Sequence, residues 1–242
     1  MRKNTSSVPA LQLISICAQY RKDEPVFSEL NISISAGSRI LLAGGDGTGK
    51  TTLLSILSGH LKPVSGRFLI QGKHFAPESK ADIAYVPDVF AFKTTLCADD
   101  IIEIYDRFFS NFDREKLLLR LAELNIPKDK GFHSLTPAER QAVQFAFTSA
   151  RACSIYLLDN PLNLLTEEEQ TSTLQAFFQN IPKEATVIYV GDVYPALDEL
   201  LTEIICLGNG KIQLYESLSY LKSRYGKETW EILQSLSDGG LN

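Results

Sequence analysis

The sequence predicts an α/β fold with an α-helical insertion, and two observations indicate it. Strand-like apolar runs alternate with helical segments along most of the 242 residues, which is typical of a sheet covered by helices. From about residue 97 to residue 152 the strand-like runs stop and the pattern is helical. We therefore expect one domain, with a core at residues 1–96 and 154–215, a helical subdomain at 97–153 and C-terminal helices at 216–242.

The first elements lead to a glycine-rich turn. Three strand-like runs, at residues 11–20, 26–35 and 39–44, open the chain and end at that turn. Residues 50–61 follow it with apolar side chains at helical spacing, and Gly59 indicates the end of this helix.

Later elements continue the alternation. Residues 113–126 are the clearest amphipathic helix of the insertion, and a second helix is expected around 167–178. Short apolar runs between the helices predict further strands. These strands are expected at residues 66–72, 83–88, 154–159, 185–191 and 203–214.

Composition argues against two classes of protein. The net charge of −5, with acidic and basic residues interspersed, offers no basic stripe for nucleic acid. No apolar run reaches the roughly 18 residues of a membrane span, and the polar N-terminus does not fit a signal peptide. We expect a cytoplasmic protein that binds no nucleic acid and contacts a membrane only through a partner.

The stretch GGDGTGKTT is the strongest motif. It satisfies G-x-x-x-x-G-K-[ST] between an apolar strand and an apolar helix. Its glycines let backbone N–H groups wrap phosphates, its lysine supplies a cation and its threonine offers a hydroxyl to Mg²⁺. A turn that binds nothing is the alternative, which the flanking strand and helix disfavour. The expected nucleotide-binding residues are Gly44, Gly45, Asp46, Gly47, Thr48, Gly49, Lys50, Thr51 and Thr52.

One carboxylate, Asp159, ends the apolar strand predicted at 154–159. Such a carboxylate can hold Mg²⁺ beside a nucleotide, although an ordinary solvent-facing strand end would look the same. The phosphate loop favours the metal role. The next residue, Asn160, carries an amide, and an amide cannot take a proton from water. The pattern therefore indicates a nucleotide site whose hydrolytic chemistry is in doubt.

The order of these motifs resembles the ATP-binding subunit of ABC transporters over nearly the whole chain. The resemblance is carried by residues 57–72, 133–161 and 185–212 together with the phosphate loop. It implies a P-loop NTPase core, with a mixed sheet and an antiparallel β subdomain, plus an inserted α-helical signature subdomain. Tyr20 lies 30 residues before Lys50, where the family places an aromatic ring that stacks on adenine. A strand aromatic in the core is the alternative.

The family's hydrolytic positions are altered. Asn160 stands where the family has a glutamate general base, Asp88 replaces a glutamine and Asp192 replaces the switch histidine. No catalytic set is therefore expected to be intact. Asp88 can still ligate a hard cation, so the expected Mg²⁺ ligands are Thr51, Asp88 and Asp159. Asp192 would repel a γ-phosphate about 4 Å away by about 4 kcal/mol at an effective dielectric near 20.

The signature motif also departs from the family pattern. It reads LTPAE at Leu135–Glu139, which predicts a capping box with Thr136 at the N-cap and Pro137 at the first helical position. The Glu139 carboxylate would then lie where the family docks the γ-phosphate of the opposite subunit. A well-capped helix without that function explains the residues equally well. Thr166 replaces the aspartate of the loop after the metal strand, and the acidic residues after it suit the start of a helix.

The resemblance implies a subunit that binds ATP and Mg²⁺ and dimerises with itself or with a competent paralogue. It would lie on the inner face of the cell membrane against a transmembrane permease, with weak or absent hydrolysis. A non-catalytic ATP-sensing regulatory or scaffold protein of the same fold is the alternative, and the acidic balance disfavours a translation- or DNA-associated relative. Residues 101–126 resemble subunits of Gram-positive peptide-export and envelope-stress systems.

Overall fold

The computed structural model describes residues 8–21, 24–193, 197 and 199–237. Part of the segment after Asp192 that carries the resemblance lies outside these residues, as do both ends of the chain. Strands are β1 Leu11–Arg21, β2 Glu24–Ile34, β3 Arg39–Ala43, β4 Ser65–Ile70, β5 Lys73–His74, β6 Ile83–Val86, β7 Ile155–Asp159, β8 Thr186–Val190, β9 Glu203–Gly208 and β10 Lys211–Ser217. Helices are α1 Lys50–Leu57, α2 Ala98–Phe108, α3 Arg114–Glu123, α4 Pro137–Ser149, α5 Glu167–Asn180, α6 Leu218–Tyr225 and α7 Thr229–Ser237.

The central sheet has the strand order β10-β9-β3-β8-β7-β6. Its neighbours pair in parallel except for β10, which runs antiparallel at one edge. Every residue of β7 and β8 is buried, as expected for parallel strands covered on both faces. Leu157 packs in one core and Leu158 in the other, because successive side chains point to opposite faces. The carboxyl ends of β3, β6, β7 and β8 therefore meet at one edge of the sheet.

A second, antiparallel sheet has the order β2-β1-β4-β5. Leu11, Leu13, Ile16 and Ala18 of β1 are buried in the core that also contains α1. The alternation shifts by one residue in the middle of the strand because Ser15 has φ 50° and the pairing register changes there. The predicted fold class, a mixed sheet with an antiparallel sheet and helices, is confirmed.

Helices α2, α3 and α4 lie between β6 and β7 and share a third core. Phe132 and Phe147 are fully buried at its centre. Arg151 follows α4 and joins this core to the central sheet. Its guanidinium lies 3.9 Å from the centroid of the Phe109 ring and donates to the carbonyl oxygen of Ile83 at 3.2 Å. A buried cation thus links the helical insertion to the strand that precedes it.

The last two helices pack against the central sheet. Leu218 and Leu221 of α6 and Ile232 of α7 are buried in the second core. Gly226 ends α6 in the left-handed region, with φ 62°, which glycine adopts without a steric penalty. The C-terminal helices therefore bury one face each and complete the core beneath β9.

Candidate functional site

The phosphate loop connects β3 to α1 and requires its glycines. Gly44, Gly47 and Gly49 have φ of 143°, 74° and 100°, which residues with a Cβ rarely adopt. A Cβ on Gly44 would lie 2.5 Å from the carbonyl oxygen of Leu207, and one on Gly49 would lie 2.7 Å from the Phe27 ring. The loop thus follows a path that substitutions at these two glycines would block.

The Lys50 side chain lies back across this loop. Its ammonium donates to the carbonyl oxygens of Gly44 at 2.6 Å and Gly45 at 2.9 Å. The Thr48 hydroxyl also donates to the Gly45 carbonyl, at 2.8 Å. The cation therefore lies within the loop, where a phosphate group could replace backbone carbonyls as its partner.

The start of α1 is open to an anion. Its N-cap, Gly49, makes no side-chain cap, and the first turn contains no acidic residue. The first N–H groups of a helix have no intrahelical partners, and the helix dipole is positive there. The start of α1 and the Lys50 ammonium therefore place backbone donors and a cation on the same loop, a combination suited to a phosphate group.

Tyr20 lies beside this helix and outside the core. Its side chain is 64% exposed, and its hydroxyl lies 3.1 Å from the Thr52 hydroxyl. The alternative that Tyr20 is a core aromatic is therefore wrong. The ring is tethered at its hydroxyl end to the helix that begins at the phosphate loop.

Asp159 is a buried carboxylate without a hydrogen-bond partner. It is 0% exposed, and within the described part of the chain neither carboxylate oxygen receives a hydrogen bond of standard geometry. Burial raises the pKa of this carboxyl; the nearby Thr51 hydroxyl opposes the shift. The Asp88 charge raises the pKa further and the Lys50 ammonium lowers it. An unsatisfied buried carboxylate beside a threonine hydroxyl fits a divalent cation well.

Asp88 lies on the neighbouring strand at the same edge. β6 and β7 pair in parallel with Val86 opposite Leu158, so Asp88 follows β6 at the level of Asn160. The side chain of Asp88 is exposed. Among the described residues, no group of three or more His, Cys, Asp or Glu side chains could hold a metal ion. The buried Asp159 carboxylate beside the Thr51 hydroxyl fits Mg²⁺, which takes one or two carboxylates and completes its shell with phosphate and water.

Two of the three altered hydrolytic positions, Asn160 and Asp192, follow the adjacent strands β7 and β8. Asn160 has φ 43°, and its N–H donates to the carbonyl oxygen of Val190 at 2.8 Å. Asp192 follows β8 and is exposed, and its carbonyl accepts from the Tyr189 hydroxyl at 3.2 Å. The Asn160 backbone is held by the neighbouring strand β8, and the Asp192 backbone is held by the Tyr189 side chain of the strand that it follows. The side chain at position 160 is an amide.

Helix α4 begins with the predicted capping box. The Thr136 N–H donates to the Glu139 carboxylate at 2.7 Å, and the Glu139 N–H donates to the Thr136 hydroxyl at 3.2 Å. The bond from the Thr136 backbone lowers the pKa of Glu139. The predicted box is confirmed, and it places an anion at the end of the helix that would otherwise attract one.

Helix α5 begins in the same way. Thr166 is its N-cap. The Thr166 N–H donates to the Glu169 carboxylate at 2.9 Å, and the Glu169 N–H donates to the Thr166 hydroxyl at 3.4 Å. The bond from the Thr166 backbone lowers the pKa of Glu169. The predicted helix start is confirmed. Thr166, at the position where the family has a loop aspartate, caps this helix.

Two glutamines of α4 were missed by sequence reasoning. Gln141 donates to the Asn163 side chain at 2.7 Å and accepts from the N–H of Leu164 at 2.9 Å. Gln144 accepts from the N–H of Ala91 at 2.6 Å and donates to the carbonyl of Pro87 at 3.1 Å. Both are almost fully buried, and only their position among the apolar residues in the middle of α4 could have indicated them. They position the segments that carry Asn160 and Asp88.

A glycine loop between strand and helix, a lysine at the helix start and a buried aspartate two strands away define a phosphate-loop nucleotide-binding domain. The family model described as ABC transporter matches residues 27–163, more than half of the chain. The chain belongs to the ABC transporter family and is a nucleotide-binding domain of it.

Relatives in other organisms agree with this assignment. ABC transporter I family member 21 of Arabidopsis thaliana is 26% identical over 243 residues, covering 91% of this chain and 83% of that protein. The cytochrome c biogenesis ATP-binding export protein CcmA of Cupriavidus pinatubonensis is 32% identical over 154 residues, covering 61% of this chain and 68% of that protein. The glucosylceramide transporter ABCA12 of Homo sapiens is 26% identical over 211 residues, which cover 83% of this chain and 8% of that much longer protein.

Solved structures share the fold. A bacterial Atm1-family ABC exporter with ATP bound has a TM-score of 0.78 at 20% identity, covering 97% of this chain and 42% of that chain. An ATP-binding subunit of an ABC transporter has a TM-score of 0.75 at 16% identity, covering 90% of this chain and 93% of that chain. Across the residues that the model describes, none of the helices combines the length and apolar character needed to span a bilayer.

Proposed function

We propose that this ABC transporter subunit binds Mg-ATP, couples nucleotide-dependent dimerisation to a transmembrane permease and hydrolyses ATP slowly or not at all. One observation carries the proposal: the Asp159 carboxylate is buried without a partner at the sheet edge that holds an uncapped, lysine-bearing phosphate loop. A bound cation and phosphate would satisfy both groups at once.

The phosphates would lie on the N–H groups at the start of α1 and against the Lys50 ammonium. Thr51 and Asp159 would hold Mg²⁺, with Asp88 as a further oxygen ligand. The exposed Tyr20 ring would stack on the adenine base, since its hydroxyl is already held 3.1 Å from Thr52. When bound, Mg²⁺ would neutralise phosphate charge.

Weak hydrolysis follows from the groups that this chain presents. The Asn160 amide can orient water but cannot accept its proton, and loss of a general base costs typically about 10² to 10⁴ in rate. Asp192 adds an anion where the γ-phosphate would lie, a position that the family fills with a neutral or cationic donor. The site therefore supports binding better than it supports turnover.

The signature that this chain would lend to a second subunit is also altered. In a head-to-tail dimer of such subunits, the start of α4 faces the γ-phosphate bound by the opposite chain. Here the Glu139 carboxylate already accepts the Thr136 N–H at 2.7 Å, and Pro137 removes another donor. In a homodimer, each of the two sites would combine the altered base position, Asn160, with the altered signature. With a competent paralogue as partner, each site would contain only one of these two alterations.

Membrane coupling would use a permease, which places this chain at the inner face of the cell membrane. Ile104 and Phe108 lie four residues apart on α2 and are 45% and 67% exposed, and Val89 after β6 is 65% exposed. Ile104 and Phe108 share one face of α2, and an exposed apolar face of a helix is a candidate contact surface for a permease. The relative from C. pinatubonensis is named as an export protein, which supports a transport role. The relation to Gram-positive peptide export stays a prediction.

Nucleotide binding is tested by calorimetry with Mg-ATP on the wild-type chain, Lys50→Ala and Tyr20→Ala. We expect Lys50→Ala to abolish measurable binding, because the variant loses the cation of the loop. Tyr20→Ala should weaken binding about 5- to 150-fold, since stacking on a base contributes about 1–3 kcal/mol. Equal affinity in all three proteins would rule out this site.

Hydrolysis is tested by steady-state phosphate release. The wild-type chain and Asn160→Glu should both turn over slowly, because each site would still face the altered signature. Adding Pro137→Gly, Ala138→Gly and Glu139→Gln to Asn160→Glu should raise the rate. Robust wild-type turnover that Lys50→Ala abolishes would show that other residues carry the chemistry.

The partner is tested by copurification from solubilised membranes. A permease that is retained by the wild-type chain and lost in Phe108→Glu would support coupling through α2. A stable complex without any membrane protein would instead support the alternative, an ATP-sensing regulatory or scaffold role.

A further inference from the structure

A cleft of about 210 Å³ lies between α3, α4 and α5, and none of its lining residues belongs to the nucleotide site. The volume is far above the roughly 10–15 Å³ that one water needs, so the cleft can admit a small organic molecule. Each helix contributes residues that share one face. The lining includes Lys116 and Arg120 of α3, Phe145 and Ser149 of α4, and Ala176 and Asn180 of α5.

The cleft contains more positive than negative charge. Lys116 is partly buried, and its ammonium donates to the carbonyl oxygen of Asn180 at 2.8 Å. Among the described residues it forms no ion pair, so two of its three N–H donors remain for another acceptor. Burial lowers the pKa of Lys116, and the nearby Asp113 charge opposes the shift. The cation is therefore partly desolvated, and the Asp113 charge compensates it only in part.

The second cation of the cleft is only partly compensated. The Arg120 guanidinium pairs with Glu123 at 2.6 Å, and the two side chains are 28% and 62% exposed. A guanidinium carries five N–H donors, of which one carboxylate can use two. Lys116 and Arg120 lie four residues apart on α3, so one anionic group can reach both.

The rest of the lining is mixed: its apolar part is Leu119, Phe145, Ala176 and Phe177, and its polar part is Glu123, Ser149, Thr173 and Asn180. The rings of Phe145 and Phe177 meet with centroids 5.1 Å apart and form part of the wall. Leu119 lies at the mouth and is 68% exposed. Ala176 leaves space where a larger side chain would close the cleft. An inorganic anion would pair with the cations and leave this apolar part in contact with water.

We propose that the cleft binds a small amphipathic anion, a carboxylate on a medium-length acyl chain. The carboxylate would accept hydrogen bonds from Lys116 and Arg120, and the chain would lie along Leu119 and Ala176. The occupant would contact α3 and α4 of the insertion and α5 of the core together. It would thus tie the signature helix to the core from the side away from the nucleotide. This proposal does not depend on ATP binding or hydrolysis.

Sodium octanoate is the probe, with octan-1-ol as its neutral counterpart, measured by calorimetry and ligand-observed NMR on the full chain. Octanoate should bind saturably and more tightly than the alcohol. Lys116→Met should weaken it about 10-fold, as expected for one hydrogen bond to a charged group. Lys116→Arg should keep most of the affinity, and Glu123→Gln should not reduce it. Lys128→Met, which removes a surface ion pair outside the cleft, is the control without effect.

Ala176→Leu gives a test that leaves both cations in place. It should abolish octanoate binding by filling the cleft while thermal unfolding shows a folded chain. The proposal is overturned if octanoate does not saturate, if the alcohol binds as well, or if Lys116→Met and Ala176→Leu bind like wild type. Inorganic phosphate that displaces octanoate at equal concentration would also overturn it, because the site would then recognise charge alone.

Discussion

Replacing Asp159 with asparagine should stabilise the nucleotide-free protein while destroying its response to Mg-ATP. Asp159 is 0% exposed, and among the described residues neither carboxylate oxygen receives a hydrogen bond of standard geometry. An unsatisfied buried polar group costs about 1–3 kcal/mol, and a charged one costs more. The amide introduced by Asp159→Asn would also lack hydrogen-bond partners. The substitution therefore removes only the additional free energy that burying a charged group costs over burying a neutral polar one. We expect a gain of about 1 kcal/mol, or about 2–4 °C in a chain of this size.

The gain should depend on pH with a defined sign. Burial raises the pKa of Asp159 in the folded chain, so the folded state binds this proton more tightly than the unfolded state. The stability contributed by that proton is fully present below the unfolded pKa of about 4. It is lost as the pH rises through the folded pKa. The difference between Asp159→Asn and wild type should therefore be largest at neutral pH and should shrink as the solution is acidified.

Differential scanning calorimetry with and without Mg-ATP measures both effects. Saturation at about 100 times Kd should stabilise the wild-type chain by about 2.7 kcal/mol, and Asp159→Asn should lose most of that gain. Asp82 is the matched control, because its carboxylate accepts from the Ser154 N–H at 2.9 Å and from the Ser154 hydroxyl at 2.5 Å. Asp82→Asn should therefore destabilise. Destabilisation by Asp159→Asn, or equal stabilisation of it by Mg-ATP, would refute the metal role.

Four further substitutions test the local physics. Gly49→Ala should lower the free energy of unfolding by at least about 1 kcal/mol in a denaturant titration, because φ is 100° and the Cβ would lie 2.7 Å from Phe27. Thr136→Ala and Thr166→Ala should each lower it by about 0.5–2 kcal/mol through loss of an N-cap; no change in either would contradict the capping boxes. Arg151→Met should cost about 1–3 kcal/mol by leaving buried carbonyl oxygens unpaired, whereas an unchanged melting temperature would show that the link is dispensable.

Local features of the site could be predicted because their physics involves few neighbouring residues. The spacing of Gly44 and Gly49 identifies the loop, since left-handed φ and close backbone approach exclude other residues there. The Thr136 and Glu139 pair closes its capping box within four residues, so the start of α4 could be read before the fold was known. The strand and helix order followed from periodicity for the same reason. The side chain of Asn160 is an amide in any fold, so its inability to accept a proton from water could be predicted without the structure.

Tertiary structure decided the remaining properties of the site. Only the pairing of β6 with β7 brings the segment with Asp88 beside Asp159, and only burial between the sheet's helices leaves that carboxylate without a partner. Gln144 holds a segment more than 50 residues away, as its hydrogen bond to Ala91 shows. The cleft beside Lys116 is formed by residues of three helices, so it depends on how those helices pack. Desolvation and hydrogen bonding act between whatever groups packing brings together, so these contacts do not follow from spacing along the chain.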